Sequence, residues 1–460
     1  MRSKSWFSGK INTVHFVGIG GVGMSGLAEI LLNLGFKVQG SDIRESPATK
    51  RLAQLGANIF IGHRAEQIQS ADVVVHTSAV RDDNPEILAA WRARLPVIRR
   101  AELLAELMRF QTGIAVAGTH GKTTTTSLIA LVMSCAGLDP TVIIGGNARN
   151  IGANAKVGAG NYLLAEADES DASFLHLTPE IAVITNIEED HLDHYRDIGE
   201  IIGTFRKFLD RVPFFGTAVV CGDDRNIRSL VRTYRRRVLK YGVGKDNDLV
   251  GIPVSASDDH QTFEVCLQSK SLGSFTLPAP GKHMLLNGLA AIGVGLQLVI
   301  SPECIKQALE SYQGVRRRME LKGVKDGVLI IDDYAHHPTE IKATLETLKN
   351  WQQKPIIAVF EPHRFSRTKF FLDDFADAFE GVETLVILPV YAASELEHQG
   401  ISSDLLVERC RTRYGDRVLF AKDFENAVQL LRRNVKPDSV IITLGAGNVT
   451  KIGEMFLAEL

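Results

Sequence analysis

One stretch decides what class of fold this chain can adopt: Gly113 to Thr126, reading G-I-A-V-A-G-T-H-G-K-T-T-T-T. The apolar run Ile114-Ala115-Val116-Ala117 has the length of a buried strand, and Leu128, Ile129, Leu131 and Val132 follow at helical spacing. Between them stand Gly118, Gly121 and Lys122. Glycine there permits φ > 0, so that backbone N–H groups can be aimed at an anion. The helix opening near Thr123 adds its positive end, Lys122 supplies a point charge, and the Thr123 hydroxyl can sit on Mg²⁺. The stretch predicts an ATP site made of Gly118, Thr119, His120, Gly121, Lys122, Thr123 and Thr124. Only Thr119 and His120 separate the two glycines, whereas the strict phosphate-loop pattern has four residues there. A strand-to-helix turn with an exposed lysine is the plainer alternative. Four consecutive threonines argue against it, because they disfavour a helix start unless their hydroxyls have something to bind.

A second glycine turn lies near the N-terminus. Val14-His15-Phe16-Val17 runs into Gly18-Ile19-Gly20-Gly21-Val22-Gly23, followed by Met24, Leu27, Ile30, Leu31 and Leu34 at helical spacing and by a strand from Val38 to Asp42. This is the G-x-G-x-x-G fingerprint between strand and helix, with an acid roughly 20 residues on. It predicts a ligand carrying a diphosphate and a ribose, bound by Gly18, Gly20, Gly21, Gly23 and Asp42; a sugar nucleotide such as a UDP derivative meets that description as well as NAD does. Val73-Val74-Val75 and Val97-Ile98 read as further strands and Glu102 to Met108 as a helix, making the first hundred or so residues one open α/β unit. A glycine turn of each kind in one chain implies two phosphorylated substrates.

Two acidic runs each follow a short aliphatic strand, Glu166 to Asp171 after Leu163-Leu164-Ala165 and Glu188 to Asp193 after Ile181 to Ile184. That places them at strand C-termini, where open α/β sheets keep ligands, and with Thr123 they could hold one or two Mg²⁺ ions. Solvated loops are the alternative. From about Thr217 to Pro280 the pattern suggests antiparallel strands, and Arg232, Arg235, Arg236 and Arg237 read as a solvated basic knot. A helix opening after Pro280 carries Asn287 near its start, as a cap or as a reader of an adenine edge. A third α/β unit follows. Its strands, Val328 to Ile331, Ile356 to Phe360, Leu385 to Leu388 and Val440 to Leu444, end in polar clusters that include His336, Arg364 and Arg367. Paired arginines suit a carboxylate.

A length of 460 residues allows two to four domains, and a formal charge of −2 gives no global reason to expect nucleic acid or an anionic membrane. Cys135, Cys221, Cys266, Cys304 and Cys410 are far apart in sequence, which suits scattered core thiols in a reducing cytoplasm better than a disulfide framework or zinc site. Residues 1–10 lack the apolar stretch of an export signal. Leu285 to Ile300 falls short of a membrane span and reads as a buried helix.

Together the motifs resemble those of the Mur ligases, ATP-dependent amide-forming enzymes of peptidoglycan precursor synthesis. The resemblance rests on G-I-G-G-V-G-M-S-G at 18–26, G-T-H-G-K-T-T-T-T at 118–126, E-A-D-E-S-D-A-S-F at 166–174, D-D-Y-A-H-H-P-T-E at 332–340 and E-P-H-R-F-S-R-T at 361–368. It implies three α/β domains: a Rossmann-like UDP-sugar-binding domain over 1–108, a central phosphate-loop ATPase domain over 109–313 with a mostly parallel sheet and a small antiparallel part, and a Rossmann-like C-terminal domain over 314–460 that closes over ATP and brings the amino acid. The branch it resembles most joins L-alanine to UDP-N-acetylmuramic acid through an acyl phosphate. By this resemblance Lys122, Glu166 and His191 are catalytic, with Thr123, Glu166 and His191 on Mg²⁺, or Mn²⁺ in its place. Asn287, Arg318 and Asp333 join the ATP site, Met24 and Ser25 complete the UDP-sugar turn, and His336, Arg364 and Arg367 hold L-alanine. Several relatives have Asn where this chain has Met284, and Arg206 and Lys207 lie near the position of a lysine that others carbamylate. The implied enzyme is cytoplasmic, a monomer or homodimer, with small-molecule substrates, no nucleic-acid partner and no membrane insertion. Competing readings are a murein-recycling ligase that adds a tripeptide, a non-catalytic nucleotide-binding regulator, and a dehydrogenase, which would leave the central loop unexplained.

Overall fold

The computed structural model describes residues 10–77, 79–146, 148–150, 155–257, 260–352, 354–393, 395 and 402–458. The N-terminal stretch read for an export signal therefore lies, but for Lys10, outside the described residues. Among the described residues no helix is long and apolar enough to cross a membrane.

Three sheets form in succession. The first contains β1 (Thr13–Val17), β2 (Lys37–Asp42), β3 (Asn58–Ile61), β4 (Val73–His76) and β5 (Val97–Arg99), all parallel, in the order β3-β2-β1-β4-β5. The second is built from β6 (Thr112–Ala117), β7 (Thr141–Ile143), β8 (Ala155–Lys156), β9 (Tyr162–Glu166), β10 (Ile181–Ile184), β11 (Thr217–Cys221), β12 (Arg237–Gly242), β13 (Leu249–Ala256), β14 (Gln261–Leu267) and β15 (Lys270–Leu277), in the order β15-β14-β13-β12-β11-β10-β6-β9-β7-β8. The stretch expected to be antiparallel is so only in part: β11, β12 and the start of β13 extend the parallel sheet, and the antiparallel pairing begins at β13–β14–β15. The third holds β16 (Glu320–Lys325), β17 (Val328–Asp333), β18 (Ile356–Phe360), β19 (Thr384–Ile387), β20 (Val418–Phe420) and β21 (Val440–Leu444), in the order β16-β17-β21-β18-β19-β20, with only β16 antiparallel.

Strands covered on both faces need apolar residues at every position, not at alternate ones. Ile114, Ala115, Val116 and Ala117 of β6 are all fully buried for that reason. The helix Lys282–Gln297, buried along Leu285 to Gly295, packs against the helix Lys122–Cys135 that follows the phosphate loop. One continuous cluster of buried apolar residues joins the first two sheets, the first sheet adding a small separate cluster around Val17 and Val74, whereas the third sheet has its own clusters on its two faces. Of the cysteines, Cys221 and Cys410 are core thiols as expected, but Cys135 is exposed and its thiol meets that of Cys304.

Candidate active site

Adjacent strands β10, β6 and β9 end side by side, so the loops that follow them converge. After β6, Gly118 turns at φ +133 and Gly121 at φ +81, and Gly121 precedes the helix that begins at Lys122. Both glycines are required by packing as well as by φ. A Cβ at Gly118 would stand 2.0 Å from Thr185 Oγ1, and one at Gly121 would stand 2.7 Å from Asn287 Oδ1. The loop is held from the β10 side. Thr119 N–H donates to Asn186 O at 3.1 Å and His120 N–H to Asn186 Oδ1 at 2.8 Å. Those two amides are thus engaged within the protein, although the sequence suggested a whole loop of N–H groups aimed at phosphate. Asn186 is a positioning residue that the sequence did not single out.

Lys122 Nζ donates to Gly118 O at 2.7 Å, Thr119 O at 3.2 Å and Glu169 Oε1 at 2.6 Å. Burial works against its charge, but Glu169, Asp168 and Glu166 offset that and hold its pKa above the ordinary value. Burial, with Asp168 adding to it, raises Glu169 to about 7 against the pull of Lys122. The Thr123 hydroxyl lies 3.1 Å from both Glu166 oxygens, and Gly145 N–H donates to Glu166 Oε2 at 2.7 Å. His191, at φ 55, faces Glu169 and Asp190 at 3.8 and 3.6 Å, and burial lowers its pKa, keeping the ring neutral. Thr123, Glu166 and His191 line one cavity, and hydroxyl, carboxylate and imidazole donors are chemically compatible with Mg²⁺ or Mn²⁺. The other three threonines bind protein: Thr124 meets Tyr312, Thr125 Oγ1 donates to Asn287 Oδ1 at 3.1 Å, and Thr126 Oγ1 donates to Lys122 O at 2.8 Å. Their hydroxyls do have partners, but only Thr123 turns toward the acids.

Asn287 lies well inside its helix and caps nothing. Its Oδ1 accepts from Thr125 and its Nδ2 has the thioether of Met284, a weak acceptor, at 3.9 Å. Arg318 Nη1 meets Glu340 at 3.4 Å. Asp333 accepts the N–H groups of Met319 and Ala335 at 2.7 and 2.8 Å, and burial raises its pKa to about 6. A cavity of about 1150 Å³ gathers Lys122, Thr123, Glu166, His191, Arg318 and His336.

Arg364 and Arg367 are placed differently from the expectation of a free carboxylate clamp. Arg364 Nη1 is 3.2 Å from Asp193 and Arg367 Nη2 is 3.0 Å from Asp190, both acids belonging to the loop after β10. With His191 they border a pocket of only about 10 Å³, too small for an amino acid. His336 carries a neutral ring, its pKa pushed down to about 3 by burial.

In the first sheet, Ser41 O accepts from Gly18 and Ile19 N–H at 2.8 and 2.9 Å, and Asp42 Oδ2 accepts from Gly20 N–H at 2.8 Å. Asp42, expected on a ribose, spends one oxygen fixing the turn. Met24 is a core side chain, 1% exposed, so its backbone amide is what it can offer a ligand, and Ser25 is buried beside it. A Cβ at Gly23 would meet Arg100 Cδ and Nη1 at 3.0 Å, and Arg100 also reaches Asp168 at 3.6 Å. Arg100 went unnoticed in the sequence, where its only signal was a basic pair at the end of a strand.

Among the described residues, the group of three histidine or acid side chains close enough to share a metal is a different one, His120, Glu188 and His337, with ligand atoms within 4.8 Å of one another. Here it is an ion-pair cluster: burial opposes the charge on His120, but Glu340 and Glu188 raise its pKa to about 9.

Three family descriptions match successive parts of the chain: Mur ligase family, catalytic domain over residues 13–112; Mur ligase middle domain over 116–295; and Mur ligase, glutamate ligase domain over 317–447. A UDP-N-acetylmuramate--L-alanine ligase of Desulfatibacillum aliphaticivorans is 48% identical over 97% of this chain and 98% of its own length. One from Geobacter sp. (strain M21) is 48% identical over 98% of each. Among solved structures, the UDP-N-acetylmuramate-alanine ligase MurC of Thermotoga maritima superposes with a TM-score of 0.82 at 30% identity, covering 97% of this chain and 98% of the other. A murein peptide ligase of Psychrobacter arcticus reaches 0.72 at 23% identity with the same coverage, a likeness of fold alone. With a conserved order of all three parts over nearly its whole length, the chain belongs to the Mur ligase family.

Proposed function

We propose that the protein joins L-alanine to the carboxylate of UDP-N-acetylmuramic acid at the expense of ATP, forming an amide in peptidoglycan precursor synthesis. The observation that carries this is the single cavity in which Lys122, Thr123 and Glu166 of the phosphate-loop unit face Arg318 and His336 of the third unit, in a chain whose full-length relatives bear that activity in their names. ATP phosphorylates the substrate carboxylate, the amine of alanine attacks the acyl phosphate, and the tetrahedral intermediate expels phosphate. Charge on the transferring group is met by the Lys122 ammonium, held protonated by the surrounding acids. A divalent metal on Thr123, Glu166 and His191, Mg²⁺ by the preference of oxygen donors, would neutralise phosphate charge and hold the two anions together.

In this reading residues 1–108 take the UDP sugar, 109–313 ATP, and 314–460 the amino acid. The diphosphate lies at the start of the helix Val22–Asn33, and Arg318, Asp333 and Asn287 serve the nucleotide. His336, Arg364 and Arg367 serve alanine, the arginines exchanging Asp193 and Asp190 for its carboxylate. The compartment is the cytoplasm, which suits free thiols. The test is phosphate release from ATP and Mg²⁺ with UDP-N-acetylmuramic acid, comparing L-alanine, other amino acids and the tripeptide L-Ala-γ-D-Glu-meso-diaminopimelate. Release that needs both the UDP sugar and L-alanine supports the proposal. Release with the tripeptide but not alanine makes the protein a recycling ligase, and none with any pair leaves a nucleotide-binding regulator.

A further inference from the structure

The carboxylate of Glu340 is 9% exposed and lies where three parts of the site meet. Its Oε1 is 3.3 Å from His120 Nδ1, in the phosphate loop, and 3.4 Å from Arg318 Nη1, on the nucleotide side of the third unit. Its Oε2 accepts the backbone N–H of His336 at 3.0 Å and lies 3.2 Å from that ring's Nδ1. Glu340 sits in the first turn of the helix Pro338–Gln352, and neighbours on that turn also cross to the phosphate-loop unit. Thr339 Oγ1 donates to Glu188 Oε2 at 2.7 Å, and His337 Nε2 meets Glu189 O at 3.1 Å.

A buried carboxylate is costly unless each oxygen is hydrogen-bonded and its charge is paired. Glu340 meets that requirement with groups from both sides of the cavity, so its position is satisfied only when the phosphate loop, Arg318 and His336 are all in place. Neither Arg318 nor His336 can shift without uncovering it. We propose that Glu340 is a positioning residue that ties the nucleotide subsite to the amino-acid subsite, so that order at one end is transmitted to the other. The inference rests on the reading of the cavity as the ATP and amino-acid site. His120, in turn, acts through its side chain as the strut between phosphate loop and third unit, while its N–H is spent on Asn186.

The test uses the full-length Glu340→Gln variant, which keeps shape and hydrogen-bonding reach but removes the charge, with Glu340→Asp as a second variant that keeps the charge on a shorter arm. The wild-type enzyme is first assayed with UDP-N-acetylmuramic acid, L-alanine and ATP, and absence of turnover there defeats the functional reading whatever the variants do. Given turnover, the variant should raise the KM for ATP and the KM for alanine together, each by about tenfold, leaving the KM for the UDP sugar within twofold. In calorimetric titrations of the UDP-sugar complex, a non-hydrolysable ATP analogue should tighten alanine binding to wild type and lose most of that effect in Glu340→Gln, with partial recovery in Glu340→Asp. A change in only one of the two KM values, a parallel rise in all three, or undiminished tightening by the analogue would overturn the proposal.

Discussion

Gly118 and Gly137 flank the same helix, Lys122–Cys135, and both have positive φ, +133 and +72. The structure predicts that alanine is tolerated at one and not at the other. Gly137 follows the helix C-cap and a Cβ there would meet nothing within 4 Å. Its substitution therefore carries only the left-handed backbone penalty of about 1–2 kcal/mol, offset by about 0.5–1 kcal/mol from the stiffer unfolded chain. At Gly118 the backbone strain of about 1–3 kcal/mol is joined by steric overlap, since the Cβ would stand 2.0 Å from Thr185 Oγ1 and 3.0 and 3.1 Å from the amide nitrogens of Thr185 and Asn186. Overpacking of that kind costs about 1–3 kcal/mol more. With the same unfolded-chain offset at both positions, Gly118→Ala is thus expected to lose about 1–5.5 kcal/mol and Gly137→Ala about 0–1.5 kcal/mol. Relief of the overlap moves Thr119 and His120 off Asn186, so the KM for ATP should rise at least tenfold in the first variant and stay within twofold in the second. Equilibrium urea unfolding and steady-state kinetics read both quantities. Adding Thr185→Ala to Gly118→Ala removes the closest clashing atom and should restore part of the stability. Equal urea midpoints for the two glycine variants, with ATP kinetics unchanged, would refute the reasoning.

Other outcomes follow from the same geometry. Lys122→Ala should abolish ATP turnover, because the ammonium is needed for phosphate charge; circular dichroism should stay native at low denaturant, although the buried Glu169 loses its partner and the urea midpoint falls. Arg367→Ala strips the partner from Asp190, whose carboxylate is held well below its ordinary pKa by Arg367 despite burial. Removing one member of a buried pair costs about 3–5 kcal/mol, measurable as a lower urea midpoint. His120, raised to about 9 in the folded protein by Glu340 and Glu188 against burial, contributes stability that is complete below about pH 6.5 and is lost as pH climbs through 9. Thermal unfolding of wild type should therefore show a loss of Tm across that window that His120→Gln lacks. A wild-type and variant profile of the same shape would remove His120 from that role.

The two glycine turns were legible because each needs a residue type at a fixed spacing between a strand and a helix, and that pattern is local. So were β6, β9 and β10, whose continuous apolar runs admit only a sheet covered on both sides. The direction of β11 was not: Thr217 to Cys221 are all buried, as in a strand covered on both faces, but a run this short does not record the sense in which its neighbour runs. Asn186 and Arg100 escaped notice for a related reason. Each acts through a partner tens of residues away, and nothing in its own neighbourhood distinguishes it from a solvated polar residue. Asn287 shows the converse: it stood out, yet much of its hydrogen bonding is internal, to Thr125 and toward Met284.

The division of the apolar core has a consequence for how the molecule responds to its solvent. The first two sheets share one continuous cluster, while the contacts that join the third to them include a set of charged pairs, among them Arg364–Asp193, Arg149–Glu320 and His120–Glu340. Hydrocarbon burial is little affected by dissolved ions at modest concentration, whereas the exposed members of such a seam are screened over a Debye length of about 8 Å at physiological ionic strength. Added salt therefore acts as a selective solvent for the joint, loosening the grip of the third unit while the body formed by the other two stays intact.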